Sequence, residues 1–84
     1  MATTTTPKTE PAEIDFEQME TLFWRIKDLK DKATDNTRWK ALHEIIQLIT
    51  WAWDSAELAG GADPFARKLY AQALDKAERI GVSA

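Results

Sequence analysis

The chain has 84 residues, of which 44% are hydrophobic and 30% charged, with four Trp and no Cys. That length holds one domain with a thin core, because a chain of this size buries only about 60% of its unfolded surface. The absence of Cys excludes a disulfide framework and a thiolate metal site, and a net charge of −3 without any strongly basic segment argues against a phosphate-backbone footprint.

Residues 1–13, MATTTTPKTEPAE, hold no apolar side chain larger than Ala after the first Met. Such a segment cannot offset its ordering entropy by burial, so a disordered Thr/Pro-rich tail is expected there. It has neither the basic nor the apolar region of a signal peptide, which leaves the cytoplasm as the default location. The longest apolar stretch, Ala41 to Trp53, is broken by His43, Glu44, Gln47 and Thr50, and no membrane span is expected.

Residues 14–84 read as a single all-α domain of three antiparallel helices, at about 16–34, 37–58 and 64–80. The first helix opens on Asp15 as a cap, with Gln18 three residues on and Ile14 placed to staple against Met19. Phe16, Met19, Leu22, Phe23, Ile26, Leu29 and Ala33 then fall in an arc of about 140°. Asp35-Asn36-Thr37 offers several caps for the second helix. In that helix Trp39, Leu42, Ile46, Ile49, Trp53 and Ala56 recur at spacings of three and four, with Ile45 and Ala52 widening the seam. Gly60-Gly61 ends it, and Asp63-Pro64 starts a third helix with its apolar side at Phe65, Leu69, Tyr70, Ala73, Ala77 and Ile80. Short connections make neighbouring helices antiparallel, as in a small bundle.

Two tryptophans do not fit that bundle. Trp51 lies two residues before Trp53, about 200° around the helix, and so points away from the seam. It shares its side with Leu48 and Leu58 and with Lys40, Glu44, Gln47 and Asp54. Trp24 lies about 160° from the middle of the first helix's apolar arc. Large rings left off a core are the residue type most enriched at interface hot spots. The charge order of the second helix points the same way. Arg38 and Lys40 sit at its start, and Asp54 and Glu57 near its end, the reverse of what the helix dipole favours. Antiparallel pairing of that helix with a copy of itself would bring opposite charges together. Trp24, Leu48, Trp51 and Leu58 are therefore the expected contacts, with Arg38, Lys40, Asp54 and Glu57 setting orientation.

Signals for catalysis fail one by one. His43-Glu44-Ile45-Ile46-Gln47 places Gln47 where a zinc-protease helix needs a second His, and the chain has one His in all. Lys40 stands where a di-iron helix needs Glu. Ser55 lies twelve residues from His43, about 18 Å along one helix. No cofactor, metal site or small-molecule substrate is expected, and no enzymatic role. The expectation is an interaction module: a homodimer, a binder of a partner protein, or both, in the manner of an accessory, neutralising or inhibitory subunit. The runner-up is a helix-turn-helix-like DNA-binding regulator using Arg67, Lys68, Gln72, Lys76 and Arg79 on the third helix. Asp75, Glu78 and the acidic total oppose it.

Overall fold

A computed structural model describes residues 13–82. The expected disordered tail lies almost wholly outside the described residues. Three helices carry the fold: α1 (Phe16–Lys32), α2 (Asn36–Ala59) and α3 (Pro64–Arg79).

Each helix begins where the sequence supplies an acceptor for its unpaired first N–H groups. The Asp15 carboxylate accepts from the Glu17 and Gln18 amides, at 3.0 and 3.2 Å. Asp35 accepts from Arg38 N at 2.9 Å, and Asp63 from Ala66 N at 3.0 Å, with Pro64 just behind that cap. Gln18 does not complete a capping box. Its Oε1 instead accepts a 3.0 Å hydrogen bond from the Tyr70 hydroxyl, tying α1 to α3. The first helix ends two residues earlier than its pattern suggests, because Ala33 turns extended at ψ 130. Gly60 leaves α2 at φ +96 and ψ 158, a backbone region that side chains other than Gly avoid.

The helices alternate in direction and α2 lies in the middle. Its two flanks are taken separately. On one, the Phe16 ring meets Trp53 edge-on at 5.5 Å, and Lys30 Nζ lies 3.1 Å from His43 Nδ1, so α1 runs back along α2. On the other, Phe65 shares a groove with Trp51 and Ser55, and Lys76 pairs with Glu44 at 4.0 Å, so α3 does the same. Between the flanks, Ile45, Ala52 and Ala56 are buried in a core cluster to which all three helices contribute. Ala66, Ala73 and Ala77 keep the α3 side thin enough for close approach. The Ile14 N–H donates to Gly61 O at 2.9 Å, which fastens the entry of α1 to the α2–α3 turn. A Cβ on Gly61 would meet Ile14 O at 3.1 Å, so that residue is small because the chain passes close to it. No helix among the described residues is long and apolar enough to cross a membrane.

Three of the expected core aromatics end on the outside. Phe16, Trp39 and Phe65 are all exposed, each in the first turn or so of its helix. Val82, just beyond α3, is buried instead: Gly81 at φ +87 turns the chain back, and Val82 N donates to Ala77 O at 2.8 Å.

Tyr70 gives the packing a spectroscopic reporter. Burial, and secondarily the Asp15 carboxylate, push its phenol up from 10.0 to about 12. The raised value means the neutral phenol is favoured on folding, so this contribution is whole below pH 10 and is lost as pH climbs through the folded value. As the sole tyrosine, it can be titrated by tyrosinate absorbance, with an expected midpoint near 12 in native protein and about 10 in denaturant. A native midpoint near 10 would mean that the hydroxyl is not enclosed between α1 and α3.

Candidate functional site

Because α1 and α3 take opposite flanks of α2, the remaining flank of α2 faces solvent. Lys40, Gln47 and Asp54 are all exposed; spaced by seven, they form a nearly straight stripe with about 20° of drift per step. Trp51 and Leu58 lie beside it, 57% and 90% exposed. From α1 comes Trp24, 56% exposed, and from the start of α3 comes Phe65, 61% exposed. All four large apolar side chains gather toward the C-terminal half of α2.

Three of them, Trp24, Trp51 and Phe65, line two grooves that share Asp54. The first lies between α1 and α2, a trough of about 280 Å³ floored by Phe23, Trp24, Ile49 and Trp53, with Glu20, Thr50 and Asp54 at its edge. The Trp24 ring stands edge-on to Phe23, centroids 5.2 Å apart. The second groove, between α2 and α3, is lined by Trp51, Asp54, Ser55 and Phe65. Asp54 belongs to both. The two tryptophans singled out in the sequence thus line separate grooves that share Asp54.

With side-chain areas of 150–250 Å² for the aromatic residues, Trp24, Trp51, Phe65 and Leu58 together expose on the order of 500–600 Å². That matches the largest apolar patches of ordinary monomers, which run to about 600 Å² and are often functional. The ion pairs among the described residues are Lys32–Asp28, Lys76–Glu44 and Arg79–Asp75. Glu20, Asp54 and Glu57 bring negative charge to the aromatic end, and Lys40 brings positive charge to the other.

The orientation residues divide accordingly. Lys40 and Asp54 lie on the outer stripe, whereas Arg38 and Glu57 are exposed but, at 100° per residue, on other sides of α2. Leu48 is a correction. It is 9% exposed and part of the core, because α3 covers the side of α2 between Ile45 and Ser55 on which Leu48 projects. Reading the helix with one apolar seam put Leu48 outside; the second covering helix puts it in. Phe65 is the residue that the sequence analysis missed for this face. Its position at the second residue of α3, one turn before Leu69, resembled core.

The remaining candidates do not assemble. His43 is occupied structurally. Its Nδ1 lies 3.1 Å from Lys30 Nζ, which can only donate; the ring also stacks on Trp39 at 4.9 Å and 10°. Lys30 lies 4.9 Å over the Trp39 ring as well, a cation–π contact that closes the cluster. No group of three or more His, Cys, Asp or Glu that could hold a metal occurs among the described residues. On α3, Lys68, Gln72, Lys76 and Arg79 share one side. Arg67 falls about 100° from Lys68 and is half-buried, so it does not join that side. Lys76 and Arg79 are engaged with Glu44 and Asp75. The third helix also runs back along α2 and does not cross it steeply, as a recognition helix does at 90–120°.

The chain matches no protein-family model, no curated protein and no solved structure. Its own residues carry the functional reading.

The placements of Leu48 and Leu58 make opposite stability predictions. Leu48→Ala is expected to cost about 2–5 kcal/mol by emptying a core site. Leu58→Ala should stay within about 0.5 kcal/mol, as surface substitutions do. Urea unfolding of both variants measures the difference. Equal effects would contradict the two-flank packing of α2.

Proposed function

We propose that this chain is a small non-catalytic interaction module. It binds another protein chain, a second copy or a different protein, through the face formed by Trp24, Trp51, Leu58 and Phe65. The observation that carries this reading is the convergence of those four exposed apolar side chains, from three different helices, on one side of α2. A lone domain would gain stability by turning them inward or replacing them, and the core is complete without them. Tryptophan and neighbouring aromatics in shallow apolar troughs are what interface anchors look like. The charges at the rim, acidic toward Asp54 and basic toward Lys40, would set the direction in which a partner lies. A role as an accessory, neutralising or inhibitory subunit fits such a face, since it offers contact and no reacting groups.

Hydroxyl-radical footprinting of the full chain tests this without knowledge of the partner. In the cells that make the protein, Trp24, Trp51 and Phe65 should be several-fold less reactive than in dilute purified protein. Trp39, exposed but outside the face, serves as the internal control. Equal reactivity in both settings would show that nothing covers the face, and the interaction reading would fall.

A further inference from the structure

The outer stripe of α2 is self-complementary, and that selects an occupant for the face. We infer that the face is covered by a second copy of this chain, α2 against α2 antiparallel, about a two-fold axis at Gln47, with Lys40 of each copy seated on Asp54 of the other. The inference rests on the interaction-module reading and goes beyond it by fixing partner, direction and register.

Three observations carry it. First, Lys40 and Asp54 are each seven residues from Gln47, about 10.5 Å along the axis, and all three are exposed on one stripe. A two-fold through Gln47 therefore superimposes each lysine on the opposite aspartate, twice, and the contact closes without leaving an open end. Second, Asp54 is the residue shared by the two aromatic grooves. An ammonium arriving there meets a carboxylate with Trp24 on one side and Trp51 on the other, and tryptophan faces attract cations most strongly of the aromatic rings. Third, Glu44, which such an axis brings near the opposite helix, is already paired with Lys76, so it does not leave an uncompensated charge at the centre.

The competing self-pairing is disfavoured by the same residues. An axis through the middle of the aromatic patch would press Asp54 against its own copy, with Glu20 and Glu57 close by, and like charges so placed are repelled. The area is sufficient for the Gln47 axis. The four apolar side chains expose on the order of 500–600 Å² per chain, and the polar stripe around Lys40 and Gln47 brings each partner toward the roughly 800 Å² of a standard interface.

Charge exchange gives the test. The full chain is prepared as wild type, Lys40→Asp and Asp54→Lys, and the masses are followed by sedimentation equilibrium from one to several hundred micromolar. The wild type should dimerise. Lys40→Asp alone faces carboxylate with carboxylate, and Asp54→Lys alone faces ammonium with ammonium. Each should weaken its own dimer by at least about tenfold. An equimolar mixture of the two restores both pairs and should form a heterodimer at least as well as the wild type forms its homodimer. Both positions are exposed, and circular dichroism checks that helix content is kept; should one single variant fail to fold, the double variant, which restores both pairs within one chain, replaces the mixture. A wild-type dimer whose single variants dimerise unchanged would overturn the register. A wild type that stays at 9.5 kDa throughout would overturn the second copy as occupant. In either case the footprint at Trp24 and Trp51 in cells separately decides whether the face binds anything.

Discussion

A helix of 24 residues presents side chains around its whole circumference, and α2 has only two neighbours to cover it. α1 and α3 are 17 and 16 residues long, and they lie along opposite flanks. The Tyr70 hydroxyl of α3 reaches Gln18 of α1, and the small residues Ala52 and Ala56 of α2 are buried. Everything else follows from that arrangement. The core is confined to the sector between the flanks, and the remaining sector, centred on Gln47, stays in water whatever side chains it holds.

What it holds is uneven. The N-terminal half of the open sector is polar, as a solvated helix surface should be. The C-terminal half carries Trp51 and Leu58, framed by Trp24 from α1 and Phe65 from α3. Apolar exposure is common on any protein, and single residues need no explanation. Four large exposed side chains from three helices, three of them lining grooves that meet at Asp54, are a different matter. The acidic rim adds direction to a surface that apolar area alone would leave sticky and indiscriminate.

Much of this architecture was legible in the letters. The helix starts were written in Asp15, Asp35 and Asp63, each of which caps as its position suggests. The phases of Trp24 and Trp51 followed from counting around the helix, and both rings are outside. The failures share one cause. A single periodic seam on α2 assumes one covering direction, so Leu48 was placed outside and Trp39 inside. Coverage by two helices widens the buried sector past Leu48, while the end of α1 near Lys30 reaches Trp39 only through a cation over its ring. Phe65 illustrates the same limit from the other side. Periodicity gives a side chain's direction around its own helix, but not how closely the neighbouring helix packs over it.

The central claim is that the open sector of α2 is bare on a single chain and covered on association. The four indole N–H groups can report on this directly and separately, by their relaxation in wild-type protein mixed with a small neutral paramagnetic probe. At high dilution Trp24 and Trp51 should be strongly relaxed and Trp53, wedged against Phe16, much less so. As concentration rises, the effect on Trp24 and Trp51 should fall while that on Trp53 stays put. Four indoles that respond alike would contradict the bare face, and two exposed indoles whose response never changes with concentration would contradict its coverage by a second copy.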